Sequence, residues 1–363
     1  MTRRRLRWLP AVVVPAVIAA GALGAAAQAG ATASLPPRSP SQVLAMVGQS
    51  TVQSLSGEFE QTSELGLPQL PSGLSAHAGS ASGMSVSSVL ELITGSHTAR
   101  VFLDGPTNAR VQVLDQLAER DVVRHGTDVW LYSSETNTAT HMTIPASTAA
   151  EAAPPAGSAL TPAQLAQRLL SAIDPSTQVT VGSDTTVASR SAYDLVLTPR
   201  DSDTLVGSVS IAVDSETGLP LSVDILARGQ AKPAFHVAFT SLTLAVPTPD
   251  LFAFTPPAGA TVKEQALPEH PAMGSSTAPD PPRSGTGVQP IVTGTGWGAV
   301  VVLPAGTASA QVTGSPLLAQ ATQAVAGGRL LHTALVNVFL TDDGRVVAGS
   351  VPLERLQAAA AGQ

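Results

Sequence analysis

The sequence predicts an α+β fold built on an antiparallel sheet, followed by a small α+β extension. Three observations predict it. From Leu205 to Phe239 the apolar residues alternate: Leu205, Gly207, Val209, Ile211 and Val213, then Leu221, Val223 and Ile225, then Phe235, Val237 and Phe239. Polar or small residues such as Ser208, Ser210, Ser222, Asp224 and His236 stand between them. A period of two sends the apolar side chains to one face and leaves the other wet. Second, short strand-like runs separated by turn residues recur from His97 to Ile144, as in a meander. Third, helical spacing of apolar residues is confined to a few short segments.

The elements follow in order. Arg3, Arg4, Arg5 and Arg7 precede an apolar run from Trp8 to Ala27, and Ala31-Thr32-Ala33 offers small residues for cleavage before Ser34. This reads as a signal peptide over residues 1–33, with an uncleaved membrane anchor as the rival reading. Either way the rest of the chain is expected outside the cytoplasm. Ser39-Pro40-Ser41 starts a helix, and Leu55–Leu65 is a strand. Pro68–Gly83, rich in Gly, Ser and Pro, reads as a loop, and Val86–Ile93 as a short helix. Strands are expected at His97–Leu103, Ala109–Leu114, Asp121–Arg124, Val129–Tyr132 and Thr138–Ile144.

Pro145–Ser158 is an Ala/Pro insert. Thr161-Pro162 caps a helix over Ala163–Ile173. Strands follow at Gln178–Gly182, Ser191–Leu197, Leu205–Asp214, Leu221–Ala227, Ala234–Leu244 and Phe252–Thr255, two of them joined by the turn Asp214–Pro220. Residues 266–289, dense in Pro, Gly, Ser and Thr, read as a linker between a domain at 34–265 and an extension at 290–363. In the extension, Trp297–Leu303 is expected as a strand and Pro316–Val325 as a helix. Leu331–Leu340 and Arg345–Val351 are expected as a hairpin over Thr341–Gly344, and Pro352–Ala361 as a last helix.

Composition narrows the function. The chain has 363 residues and a formal charge of -7, and cleavage of residues 1–33, which carry four Arg and no acid, makes it more acidic. Nucleic acid selects basic patches, so no nucleic-acid partner is expected. The chain has no Cys, which excludes disulfides, thiol catalysis, Cys-based zinc sites and lipid attachment at an N-terminal cysteine. Hydrophobic residues make up 44% but aromatics only 3%, so the core rests on Ala, Val and Leu.

Catalytic and metal motifs are wanting. The seven His are scattered, with no pair at helical metal-binding spacing, so no metal and no cofactor is expected. Gly79-Ser80-Ala81-Ser82-Gly83 has the composition of a nucleophile elbow but Ala at its centre. Gly294-Thr295-Gly296-Trp297-Gly298 precedes a strand instead of following one into a helix, and lacks the Lys of a phosphate loop. Acid pairs such as Asp201/Asp203 and Asp342/Asp343 read as turns.

Several motifs occur in an order that resembles a known family. They are Phe59-Glu60-Gln61-Thr62, Asp128-Val129-Trp130-Leu131-Tyr132 after Gly126, and Tyr193-Asp194-Leu195-Val196-Leu197-Thr198-Pro199. The turn Asp214–Pro220 and Phe252-Ala253-Phe254-Thr255-Pro256-Pro257-Ala258-Gly259 complete the set. Over Ser39–Val262 the chain resembles the LolA/LppX/RseB superfamily, in particular the LolA-like lipoprotein carriers of exported bacterial proteins. The resemblance implies a strongly curved antiparallel half-barrel with helices on its concave face and an apolar cavity for acyl chains or acylated protein. It also implies a non-enzymatic role, as a carrier or as an envelope sensor with a membrane-protein partner. The long loop and insert, and the piece after Gln289, depart from the short carriers. The residues expected to line the cavity are Phe59, Phe102, Trp130, Ile211, Val223, Phe235 and Phe239. The competing reading is that this apolar face packs as ordinary core.

Overall fold

The computed structural model describes residues 35–66, 95–114, 118–144, 161–265, 290–306 and 320–362. The expected signal peptide, the loop Pro68–Gly83, the helix Val86–Ile93, the insert Pro145–Ser158 and the linker 266–289 lie outside the described residues.

One large sheet dominates. Its first meander comprises β1 (Ser54–Ser63), β2 (Gly95–Asp104), β3 (Asn108–Leu114), β4 (Glu119–His125), β5 (Asp128–Ser133) and β6 (Thr138–Thr143). Its second comprises β7 (Thr177–Val181), β8 (Thr185–Val187), β9 (Arg190–Pro199), β10 (Val206–Asp214), β11 (Pro220–Ala227) and β12 (Pro233–Thr243). A further strand, β13 (Thr261–Glu264), completes it. The strand order is β13-β6-β5-β4-β3-β2-β1-β12-β11-β10-β9-β7, with β8 paired to β9. Every pairing is antiparallel except β13 on β6. The end strands β13 and β7 do not pair with each other, so the sheet is not a closed barrel. The two meanders join along β1 and β12, where Phe59 stands opposite Phe239 just after a bulge at Glu58/Phe59.

Two capped helices pack on the second meander. Helix α1 (Pro40–Gly48) begins at Ser39, whose hydroxyl accepts the Gln42 N–H while the Gln42 side chain accepts the Ser39 N–H. Helix α2 (Pro162–Ser171) repeats this box with Thr161 and Gln164. Each box satisfies donors that a helix start leaves unpaired, and proline at the first position has no N–H to lose. Val43 of α1 and Ala166 of α2 are wholly buried. Helix α1 lies against β7 and β9, and α2 against β11 and β12.

The seat of α1 depends on Gly218, in the turn between β10 and β11. Its φ is 71°, and a β-carbon there would stand 2.2 Å from the Met46 carbonyl oxygen. Gly218→Ala is therefore expected to cost about 2–3 kcal/mol, left-handed strain plus displacement of α1. Gly229→Ala, at a φ of 78° with nothing within 4 Å, is expected to cost about 1 kcal/mol. Urea unfolding of both variants checks this, and equal losses would remove the helix seat from the explanation.

The C-terminal residues build a second, six-stranded sheet from β14 (Ile291–Thr293), β15 (Val300–Leu303), β16 (Gln323–Val325), β17 (Gly328–His332), β18 (Asn337–Thr341) and β19 (Val346–Gly349), in the order β14-β15-β19-β18-β17-β16. Helix α3 (Leu353–Ala361) covers it, closing a core of Val300, Val302, Leu330, Phe339, Val347, Val351, Leu356 and Ala360. The two sheets are hydrogen-bonded together. Ser350 O accepts from the Leu205 N–H and the Thr204 hydroxyl, both at 2.8 Å, and Leu65 O accepts from the Ala334 N–H at 2.9 Å. The Trp297 indole donates to the Thr177 hydroxyl at 2.8 Å. Among the described residues no helix is long and apolar enough to cross a membrane.

Several expected elements differ. Phe252–Thr255 is not a strand: Pro249–Phe252 is a 3-10 turn, and the segment's extended pairing comes later, in β13. Pro249, Pro256 and Pro257 supply no N–H for a ladder, while Phe252 turns inward and is buried. Trp297 belongs to a 3-10 turn, Gly296–Gly298, and the strand begins at Val300. Pro316–Ala319 lie outside the described residues, and Gln323–Val325 is a strand instead of a helix. The expected strand Leu331–Leu340 is two strands split at Thr333. Its hydroxyl accepts the Val336 N–H at 2.9 Å and donates to Val336 O at 2.6 Å, a local turn that competes with the ladder.

Candidate functional site

Strand pairing fixes which side chains share a face. On one face of the large sheet, Leu195, Ile211, Val223, Val237, Gln61 and His97 stand in register from β9 to β2. Beside them run Phe239, Phe59, Ala99 and Val113. Phe59 and Phe239 meet edge to face, with ring centroids 6.1 Å apart and planes at 78°. Over the second meander and the β1–β12 seam this face is closely packed: Leu195, Ile211 and Val223 have no exposure, and Phe59 and Phe239 have 1% and 3%. The same face continues over the first meander through Val101, Val111, Val122 and Leu131. There Val101, Val113 and Val129 are buried, while Val111, Val122 and Leu131 are half-buried.

Of the seven residues expected to line a cavity, five share this face: Phe59, Ile211, Val223, Phe235 and Phe239. Phe235 is half-buried and the other four are buried. Phe102 and Trp130 stand on the opposite face. Phe102 pairs with Ser56 and Arg110, Arg110 with Val123, and Val123 with Trp130. The structure therefore brings five of the seven together and separates two. Val111, Val122 and Leu131 belong to the face and were not among the expected residues. The parity of Val111/Val113 and Val129/Leu131 carried the signal, but the bulkier Phe102 and Trp130 sit one position out of phase.

The opposite face carries an aromatic cluster under a crossing segment. After β12 the chain runs back across the first meander. Arg110 donates to Leu251 O at 3.3 Å and pairs with the buried Asp121 at 2.6 Å. Burial pushes the Asp121 carboxyl up, outweighing the Arg110 guanidinium that pulls it down. Phe254 packs on Trp130 and Tyr132, with centroids 5.4 and 5.9 Å away. Trp130 stacks on His141 at 4.4 Å. The segment then pairs as β13 with β6, where Thr261 N–H donates to Asn137 O and Gln265 N–H to His141 O, both at 2.9 Å.

Farther along this face lies a polar row across β10, β11 and β12: Ser210, Asp224 and His236. His236 Nδ1 is 2.6 Å from an Asp224 oxygen. That hydrogen bond raises the His236 pKa against the opposing effect of burial, with Asp224 and Glu60 charges adding to it. Burial, then the Asp224 charge, raises Asp194. Among the described residues no group of three His, Asp or Glu side chains is arranged to hold a metal ion.

In the second sheet, a groove of about 210 Å³ is lined by Thr293, Gly294, Gly298, Val300, Arg355, Ala358 and Ala359. Beside it the edge strand β14 exposes Ile291 and Val292.

A family model described as the MucB/RseB N-terminal domain matches residues 82–269. No curated protein matches the chain. Similar solved structures include the complex of Pseudomonas aeruginosa MucA/MucB, at 20% identity and a TM-score of 0.44, covering 88% of this chain and 96% of that one. They also include MucB, at 20% identity and a TM-score of 0.40, covering 88% and 94%. A LolA superfamily protein from Nitrosomonas europaea is similar at 11% identity and a TM-score of 0.22, covering 60% and 99%.

Proposed function

Because the chain belongs to the MucB/RseB family and has a LolA/RseB-like superfamily fold, we propose that it is an extracytoplasmic, non-enzymatic binding module that holds an acyl chain. The acyl chain, from a lipid or an acylated protein, lies on the apolar face that Phe59 and Phe239 begin. The observation that carries this reading is the change in packing along that face. It is filled at Leu195, Ile211 and Val223 on β9 to β11, whereas on β3 to β5 the half-buried Val111, Val122 and Leu131 stand among the buried Val113 and Val129. An apolar strip of this kind gains about 0.8 kcal/mol for each CH₂ of a ligand that it takes from water. The domain boundaries read from the sequence fit this proposal, with residues 34–265 as the binding unit and 290–363 as its extension after a leader over 1–33.

Mass spectrometry of lipid extracted from the purified protein, with displacement of a fluorescent fatty acid, tests it. The unaltered protein is expected to carry lipid and to bind the probe at about micromolar strength. Val122→Glu, on the half-buried strip, is expected to weaken the probe at least tenfold with little loss of stability. No extracted lipid and no response from the probe would overturn the reading.

The second reading is a regulatory module that binds a membrane-protein partner. The exposed Ile291 and Val292 on the edge strand β14 favour it, since an unpaired edge is a place for another chain to add. Capture from membranes by the full chain, lost on Val292→Lys while lipid uptake persists, separates the two.

A further inference from the structure

We propose that the segment from Pro249 to Gln265 is a strap latched over the aromatic face by the imidazolium of His141, and that its outer half releases when His141 gives up a proton. The inference does not depend on the acyl-chain reading.

The latch is read from the two nitrogens of one ring. His141 Nδ1 lies 2.9 Å from a Glu264 oxygen on β13, and Nε2 lies 3.1 Å from an Asp128 oxygen on β5. Ionised carboxylates only accept hydrogen bonds. A neutral imidazole has one N–H, so it can serve one carboxylate and must turn a lone pair toward the other. Only the imidazolium donates to both. His141 is thus a bolt between the sheet and the strap, and removing its proton breaks one side of the bolt. The Trp130 ring stacked on it adds a face that favours a cation.

The other charges at the site agree. Nearest His141 on this face, β5 contributes Asp128, β13 contributes Glu264 and β4 contributes His125 opposite Asp128, while Asp121 of β4, farther along the face, is paired with Arg110 of β3. Tyr132 on β5 donates to Asn137. Residues Phe254–Ala260 of the strap carry no charge. Two carboxylates thus approach one cationic group, and burial is outweighed by their hydrogen bonds, so the pKa of His141 is raised. A raised value means that the latch is fully formed below the ordinary histidine pKa of 6.5 and is lost as pH rises through the value in the closed protein.

The strap is built unevenly. Its inner end is fixed, with Phe252 buried and Arg110 bonded to Leu251 O. Its outer end is the four-residue parallel strand β13, exposed along its length and at the edge of the sheet. Loss of the His141 bolt therefore opens the outer end first and uncovers Trp130 and Tyr132.

Hydrogen exchange of the full chain, corrected for intrinsic rates, tests this between pH about 5.5 and 8.5. Amides of Ala260–Gln265 are expected to lose at least about tenfold protection across the range, the scale of losing one charge-assisted hydrogen bond. His141→Gln is expected to show low, flat protection there, and Glu264→Gln a flattened response, while amides of Leu195–Ile211 stay protected in both. A flat response in the unaltered protein overturns the proposal, as does an unaltered response in His141→Gln. Should His141→Gln lose protection throughout the sheet, Glu264→Gln decides by the same criterion.

Discussion

Replacing Phe59 by alanine is expected to lower the unfolding free energy by about 3–5 kcal/mol, the range for emptying a buried phenylalanine site. Phe59 is 1% exposed at the seam between the two meanders, with Ala99 across one ladder and Phe239 across the other. Its ring supplies the edge-to-face contact with Phe239, so truncation removes transfer energy, packing and an aromatic pair together. The bulge at Glu58/Phe59 sets the ring in place and limits how far the backbone can close over the gap. Against a typical domain stability of about 5–15 kcal/mol this is a large fraction. Phe102→Ala, on the half-buried opposite face, is expected to lose about 1–2 kcal/mol. Urea denaturation of the two variants reads the difference, and a loss at Phe102 equal to that at Phe59 would sink the argument from the seam.

Asp214→Asn is expected to cost about 2–4 kcal/mol at neutral pH. Asp214 closes β10 and is 1% exposed. Its carboxylate accepts from Arg190, whose Nη2 is 3.2 Å away and whose Nε also donates. It accepts as well from the backbone N–H groups of Glu216 and Thr217 at 3.0 and 2.7 Å and from the Thr217 hydroxyl at 2.8 Å. Burial alone would raise its pKa, but the Arg190 bond and the turn donors outweigh it and hold it below the ordinary 3.8. The stability this carboxylate supplies is therefore present above pH 3.8 and lost as pH falls through its folded value. An asparagine amide keeps the shape but turns an NH₂ toward donors. The penalty should shrink on acidification, because the native carboxyl becomes neutral too. A penalty at pH about 2.5 equal to that at pH 7 would show that charge is not its origin.

Much of the sheet was legible because hairpin strands declare themselves locally. The alternation in Val209–Val213 and Leu221–Ile225, and the Asp214–Pro220 turn between them, fixed two strands and their buried face together. The helix starts at Ser39 and Thr161 were legible because the cap, the proline and the glutamine three residues on sit within one short span. What stayed hidden depends on distant parts of the chain. Nothing near Thr261–Glu264 announces a parallel strand, since its partner is β6. The phase of Phe102 and Trp130 was hidden for a related reason. Alternation says that two faces exist, but only the register between β1, β2 and β5 says which face is shared with Phe59. Size drew attention to Trp130, while the smaller Val129 and Leu131 beside it carry the continuous face.

The β1–β12 seam has a consequence for how the chain acquires its structure. Each meander is made of near neighbours in sequence and can form as successive hairpins soon after its residues are free to move. Ser56 meets Thr243 only when almost the whole of the large sheet has been delivered, and contacts between such distant residues are the slow ones in folding. Until then β1 has β2 on one edge and nothing on the other, with Phe59 lacking its ring partner. Two half-sheets therefore precede one sheet, and the last event to join them is the meeting of two phenylalanines.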